Sequence, residues 1–168
     1  MDRSVSLTLT AEDYVTANKL HFINGCRSRC GLVTFGVVAI SYLAIVAFAY
    51  VDQWPTPALV VLGASLVLFV AYMVVTYLVF VPLAARRNYR VQKTIHGLHT
   101  YSWSETGLTI VAERGEWRAA WGDYMKRAEN ARVLMFYQAP KLHNMIPKRV
   151  LTAEQIADIR RCAAAVPA

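Results

Sequence analysis

The stretch GLVTFGVVAISYLAIVAFAYV, residues 31–51, decides the fold, because none of its 21 residues carries a charge. As an α-helix rising ~1.5 Å per residue it is roughly 32 Å long, which matches a hydrocarbon core of roughly 30 Å. A second apolar run covers residues 58–85, and Asp52 is the single formal charge between Arg29 and Arg86. The second run is long enough to cross a bilayer with some tilt. The sequence therefore predicts two membrane-spanning helices.

A cleaved signal peptide and a buried core helix are the alternatives to this interpretation. A signal peptide has a basic start and a short apolar stretch close to the N-terminus, whereas 30 mostly polar residues precede the first run here. Two uncharged runs of this length, joined by the six residues DQWPTP, are rare inside a chain of 168 residues. Both alternatives are therefore disfavoured.

The cations next to the apolar runs predict the orientation. They are Arg27 and Arg29 before the first run, and Arg86, Arg87, Arg90 and Lys93 after the second. The connector has no Lys or Arg, so the positive-inside rule places both termini in the cytoplasm. The net charge is +7, and residues 86–168 carry fourteen positive and seven negative charges. No nucleic-acid-binding signature accompanies this charge, so membrane topology explains it and no nucleic acid partner is expected.

The period of the sequence changes after the second run. His99, Tyr101 and Trp103 alternate with hydroxyl side chains, which is the two-residue period of a half-buried strand. Further short apolar segments separated by turn residues follow up to residue 150, and this spacing indicates an antiparallel sheet. Residues 4–10, SVSLTLT, alternate in the same way. Because the hairpin returns the chain to the same side, we expect this first strand to pair with the later sheet.

The letters LTAE occur twice, at residues 9–12 and 151–154. In each, the threonine is a helix N-cap, and Gln155 completes a capping box with Thr152. Both copies follow a predicted strand, so they mark two helix starts and no duplication.

The predicted fold is an α+β membrane protein, in which a transmembrane helical hairpin is inserted in a small antiparallel β-sheet domain with a capping C-terminal helix. The chain divides into residues 1–30, an N-terminal strand with a short cytoplasmic helix; residues 31–85, the hairpin with its spans at 31–51 and 58–85; and residues 86–168, the cytoplasmic sheet and last helix.

Several short segments together resemble one family. They are LTAEDY (9–14), RRNYRVQK (86–93), YSWSETGLTI (101–110), WGDYMK (121–126), VLMFYQ (133–138) and MIPKRVLTAEQIADIR (145–160). In this combination the chain resembles the YcxB-like membrane proteins of bacteria over nearly its whole length. The resemblance implies a small pleckstrin-homology-like (PH-like) domain on a hairpin in the bacterial inner membrane, and it implies no reaction.

Residue types that carry catalysis or bind metals are sparse. Cys26 and Cys30 are spaced i, i+4, on one face of a helix near His21, but a zinc site needs about four ligands. We therefore expect no metal site and no cofactor, and three cysteines facing a reducing cytoplasm argue against a disulfide. The sequence has neither a nucleophile elbow nor a Gly-rich phosphate loop, so we expect no catalytic residues and no enzyme.

The function that remains is surface recognition. The sequence predicts a non-enzymatic, membrane-anchored interaction module whose cytoplasmic domain binds a protein partner or an anionic lipid surface. The alternatives are an immunity protein or an accessory subunit of a larger membrane complex, and an enzyme with an unrecognised site. Besides membrane lipids we expect a protein partner, for which a homo-oligomer and a larger membrane complex are both open. The candidate binding residues are basic: Arg86, Arg87, Arg90, Lys93, Arg118, Lys126, Arg127, Lys148 and Arg149.

Overall fold

The computed structural model describes residues 2–113 and 115–167, apart from the side chain of Thr94. The helices and strands in chain order are β1 (Ser4–Thr8), α1 (Ala11–Arg27), α2 (Arg29–Val51), α3 (Thr56–Val75), α4 (Val81–Val91), β2 (Leu98–Trp103), β3 (Gly107–Ala112), β4 (Gly115–Ala120), β5 (Lys126–Glu129), β6 (Val133–Ala139), β7 (Leu142–Pro147) and α5 (Ala153–Cys162). They fall into two compact units: a sheet unit, Met1–Leu20 with Leu83–Ala168, and a helical unit, His21–Pro82.

The first strand of the sheet unit pairs with a strand that is distant in sequence. β1 lies antiparallel to β2, with Ser4 opposite Ser102 and Thr8 opposite Leu98. The predicted pairing of the N-terminal strand with the later sheet is therefore confirmed. The α+β class, with antiparallel strands and a C-terminal helix, is confirmed with it.

The strands form two sheets, where the sequence predicted one. The first has the order β1-β2-β3-β4 and the second β5-β6-β7. A 3₁₀ turn at Trp121–Asp123 separates them, and Asp123 Oδ2 accepts a hydrogen bond from Ala120 N–H at 3.0 Å. This turn ends β4 and redirects the chain, so β5 begins a new sheet.

The core of the sheet unit follows the alternation of the strands in the first sheet, whereas β6 and β7 of the second sheet have runs of consecutive buried residues. Leu7, Tyr101 and Trp103 are buried on the inner face of the first sheet. In β6, all five residues from Val133 to Tyr137 are buried. Both faces of this central strand are therefore covered, which explains its continuous apolar sequence.

Both repeated LTAE segments start helices as predicted. At α5, Thr152 Oγ1 accepts from Gln155 N–H at 3.1 Å, and Gln155 Oε1 accepts from Thr152 N–H at 3.0 Å. At α1, Thr10 Oγ1 accepts from Asp13 N–H at 3.2 Å, and Asp13 Oδ2 accepts from Thr10 N–H at 3.0 Å. The two predicted threonine caps are confirmed, and Asp13 takes the reciprocal role that Gln155 has in α5.

Two helices of the described chain are long and apolar enough to cross a membrane by length and composition. They are Arg29–Val51, with 23 residues, and the continuous helical stretch Thr56–Val91, with 36 residues, which includes a π-helical segment at Thr76–Phe80. Every residue of α2 and α3 is described, and Ala49 is the one residue of these two helices that is buried. Tyr42 O–H donates to Leu62 O at 2.6 Å and joins α2 to α3.

Ser28 separates α1 from α2. Its hydroxyl donates to Gly25 O at 2.7 Å and accepts from Gly31 N–H at 3.1 Å, so it closes one helix and caps the next. A Cβ atom at Gly31 would lie 2.4 Å from Gly25 O. Glycine is therefore required where the two helices meet.

Candidate interaction surfaces

Lys148 and Arg149, two of the candidate binding residues, follow β7 directly and have partners within the sheet unit. Lys148 forms an ion pair with Glu129 and donates to Asn130 O at 2.6 Å, and its side chain is only 13% exposed. Arg149 forms an ion pair with Asp13 at 2.7 Å and donates to Thr8 O at 3.0 Å. Both cations thus join elements of the fold, although Arg149 stays partly exposed.

The carboxylates opposite these cations are held ionised. Burial opposes ionisation of Asp13, but the hydrogen bonds from Arg149 and Thr10 outweigh it and keep the pKa of Asp13 below its ordinary value. The hydrogen bonds of Arg160 and Lys148 likewise lower the pKa of Glu129 against its partial burial. These ion pairs connect α1 and β5 to the turn that follows β7, and β5 also to α5.

Lys126 and Arg127, on β5, also have internal partners. The Lys126 ammonium lies 4.7 Å from the centre of the Tyr137 ring, a cation–π distance. The Arg127 guanidinium donates to Arg160 O at 3.3 Å and to Ala163 O at 3.4 Å. Arg127 therefore binds the terminal carbonyls of α5, a common way to satisfy a helix C-terminus.

Arg86 and Arg118 form exposed ion pairs. Arg86 lies 2.7 Å from Glu12, and Arg118 lies 2.5 Å from Glu116, its neighbour two residues earlier on β4. The side chains of Arg86 and Arg118 are 52% and 75% exposed, so both cations remain accessible. Exposed pairs of this kind contribute little to stability.

Arg87, Arg90 and Lys93 differ from the other candidates. They are exposed, they follow the second apolar run directly in sequence, and none of them forms an ion pair with a residue of the described part of the chain. We call these three residues the basic exit. Lys126 and Arg127 also lack a carboxylate partner in the described chain, but they are partly buried and bound to the Tyr137 ring and to the carbonyls of α5. The basic exit therefore holds the exposed candidates that form no ion pair there.

Asp158, on α5, is a buried carboxylate that is absent from the sequence-derived candidates, and it is only 7% exposed. Its Oδ2 accepts from Trp103 Nε1 at 2.9 Å and from Arg3 Nε at 3.0 Å, and its Oδ1 accepts from Arg161 at 2.5 Å. The hydrogen bonds from Trp103 and Arg161, with that from Arg3, lower the pKa of Asp158 to about 2. A sequence signal existed, because Asp158 lies four residues before Cys162 on the apolar face of the last helix.

The aromatic residues that follow the hairpin are mostly part of the core of the sheet unit. Trp103, Trp121 and Tyr124 are buried, and burial raises the pKa of Tyr124 to about 12. Trp117, on β4, is half-buried and borders an open groove of about 590 Å³ that also reaches Lys141. Trp117 shares the lining of this groove with Tyr101 of β2.

The cysteine pair does not have the geometry that the sequence predicted. Cys26 belongs to α1 and Cys30 to α2, so the break at Ser28 removes the single helical face on which we expected them. That prediction of a shared face is wrong, because a serine cap interrupts the helix. All three cysteines are free thiols, and no group of three or more His, Cys, Asp or Glu side chains in the described chain could hold a metal ion.

Comparison with known proteins supports the family resemblance. The family model described as YcxB-like protein matches residues 103–163, from the end of β2 to just beyond α5. No curated protein and no solved structure matches the chain. The resemblance to YcxB-like proteins is confirmed over this segment, which holds most of the sheet unit.

Proposed function

We propose that the protein is a non-enzymatic interaction module, anchored in the bacterial inner membrane, whose basic exit binds anionic lipid headgroups. The observation that carries the proposal is the difference among the nine candidate cations. Arg87, Arg90 and Lys93 have no carboxylate partner in the described chain, whereas Lys148 and Arg149 are paired with Glu129 and Asp13.

The position of the basic exit in the sequence favours lipid as its ligand. Residues 58–85 are the second apolar run, and the three cations begin two residues after it. A Lys or Arg close to an anionic leaflet contributes ~1 kcal/mol to membrane attraction. Three such residues without competing carboxylates can therefore supply a substantial part of this attraction.

The topology that we propose has both termini in the cytoplasm, with the spans formed within Arg29–Val51 and Thr56–Val91. Its support is the length and apolar composition of the two helices, together with the absence of Lys and Arg from the connector. For the sheet unit we propose a PH-like fold, supported by its two antiparallel sheets and its final helix.

Lipid binding by the full chain in detergent tests the proposal. Native mass spectrometry measures how many phosphatidylglycerol or phosphatidylcholine molecules remain bound when each lipid is added at the same concentration. We expect a preference for phosphatidylglycerol that weakens as ionic strength rises. In the triple variant Arg87→Gln, Arg90→Gln, Lys93→Gln the affinity for phosphatidylglycerol falls on the order of tenfold to a hundredfold, from ~1 kcal/mol per cation.

The matched control is the double variant Arg132→Gln, Lys141→Gln, which removes two positive charges from exposed positions in the turns on either side of β6. It is compared with Arg87→Gln, Arg90→Gln, which removes two charges from the basic exit, and we expect the control to keep the preference for phosphatidylglycerol. Equal binding of the two lipids by the unaltered protein, or equal losses in the two double variants, contradicts the proposal. If a stoichiometric protein partner co-purifies and its release depends on the basic exit, the exit is a protein-binding site instead.

A further inference from the structure

β4 leaves one edge of the first sheet without a neighbouring strand. The sheet order β1-β2-β3-β4 places β4 at the end. Trp121 N–H donates to Thr106 O at 3.0 Å, in register with the β3–β4 ladder. Main-chain groups alternate along an antiparallel pair, so Trp117 directs its N–H and C=O toward β3. Glu116 and Arg118 then direct theirs outward.

This outer edge is accessible. The side chains of Glu116 and Arg118 are 44% and 75% exposed. No hydrogen bond joins the outward N–H or C=O of either residue to another part of the described chain. The edge of β5, in the second sheet, differs because the end of the chain covers it, with Arg127 N–H donating to Pro167 O at 2.6 Å.

We propose that β4 pairs with β4 of a second copy of this chain, antiparallel and with the two-fold axis at Trp117. In this register Glu116 faces Arg118 of the second copy, and Arg118 faces Glu116 of the second copy. Each facing pair exchanges both main-chain hydrogen bonds, because these are the residues whose polar groups point outward. The edge is thus complementary to itself, as a two-fold symmetric interface requires.

Charge selects this register over its neighbours. An antiparallel pairing centred on Glu116 would face Glu116 with its own copy, and one centred on Arg118 would do the same for Arg118. Like charges directly opposite each other destabilise a strand pair. Only the register centred on Trp117 turns the Glu116–Arg118 pair of one chain into two ion pairs between chains. It also places the two Trp117 side chains at the closely spaced position of the ladder, where aromatic pairs are favourable.

Charged residues on an edge strand commonly prevent pairing, and this is the opposing interpretation of β4. The charges of Glu116 and Arg118 act differently in different registers. They repel the β4 strand of a second copy in the registers centred on Glu116 or Arg118, and they attract it in the register centred on Trp117. Because the contact is a single strand edge, the area buried is small, so copies must be held close together, as in one membrane, for the pairing to be populated.

Energy transfer between full-length chains in vesicles tests the pairing. Copies that carry donor or acceptor fluorescent proteins at the C-terminus are reconstituted together at a fixed protein-to-lipid ratio, and transfer is measured against dilution with lipid. We expect transfer above the level of random collision. Glu116→Arg and Arg118→Glu each make both facing pairs alike in charge, and we expect each to lower the dimer fraction roughly tenfold.

The combined variant Glu116→Arg, Arg118→Glu decides between the interpretations. It restores opposite charges in both facing pairs, so we expect the dimer fraction to return to that of the unaltered protein. Such a recovery would not occur if the single changes lowered the dimer fraction by misfolding. Arg132→Glu, an exposed change of the same sign, serves as the control and leaves transfer unchanged. Transfer at the collision level in the unaltered protein, or no recovery in the combined variant, overturns the proposal. Neutralising the basic exit leaves transfer unchanged, so lipid binding and pairing are tested separately.

Discussion

Asp158 is the residue on which distant parts of the sheet unit converge. It lies on α5, and its carboxylate receives hydrogen bonds from Arg3, which precedes β1, and from Trp103, the last residue of β2. Arg3 also forms an ion pair with Glu105 at 2.7 Å. A buried carboxylate of this kind stabilises a fold only while its donors are present, because an unpaired buried charge is costly.

The pH dependence of stability tests this role. The folded-state pKa of Asp158, about 2, is below its ordinary value of 3.8. Ionised Asp158 therefore stabilises the fold above pH of about 4, and this contribution is lost as the pH falls toward 2. We expect Asp158→Asn to lower the melting temperature by several degrees at neutral pH, and the difference from the unaltered protein to shrink as the pH approaches 2.

Glu154→Gln, the same chemical change on an exposed residue of α5, is the matched control and should leave the melting temperature nearly unchanged. The measurement is thermal unfolding of the full chain in detergent, followed by near-UV circular dichroism from pH 2 to 7. A constant difference between Asp158→Asn and the unaltered protein over this range would contradict the assignment of the low pKa to Asp158.

The sequence identified the basic residues but not the roles that the structure gives them. Arg149 and Asp13 are 136 positions apart, and Arg3 and Asp158 are 155 apart. Local pattern carries no information about such pairs, because they form only when β1 joins the sheet. The sequence could therefore identify nine candidate cations. Only the tertiary structure distinguishes the basic exit, which forms no ion pair in the described chain, from Lys148 and Arg149, which do.

Helix starts are the elements that the sequence predicted best. A threonine cap and its partner three residues later act within one turn, so no tertiary information is needed. For Thr152→Ala we expect a loss of ~1 kcal/mol in the free energy of unfolding, because the N–H of Gln155 loses its side-chain acceptor. Denaturant titration of the full chain measures it.

Thr152→Ser, which keeps the hydroxyl, is the control and should retain most of the stability. Equal losses in Thr152→Ala and Thr152→Ser would mean that packing of the threonine methyl group, and not the cap, is responsible.

The elements that the sequence missed depend on single polar contacts. The division into two sheets follows from the turn at Trp121–Asp123, which a period-two pattern on either side does not reveal. The break between α1 and α2 follows from Ser28, although serine also occurs inside helices. Alternation and apolar length thus predicted the strands and both long helices, while the division into two sheets and the break between α1 and α2 required the structure.

At the scale of the whole molecule, the cations next to the apolar runs lie at the two ends of the hairpin and are absent from its connector. The connector carries Asp52 and no cation, and Asp52 accepts a hydrogen bond from Trp54 Nε1 at 3.1 Å. Cations lie before the first apolar run and after the second. Positive residues near the ends of a span resist translocation, so this asymmetry favours one orientation of the hairpin.

Thiol labelling in intact bacterial cells tests this orientation. In a chain whose own cysteines are replaced, Thr56→Cys in the connector should react with a membrane-impermeant maleimide from outside. Glu154→Cys on α5 should react only after the membrane is permeabilised. The reason is that the proposed topology puts both termini on the side of the cations and the connector on the other side. Labelling of Glu154→Cys in intact cells would show that the orientation is the opposite one. If both positions are labelled equally and only after permeabilisation, the hairpin does not span the membrane, since a chain that does not span exposes neither site outside.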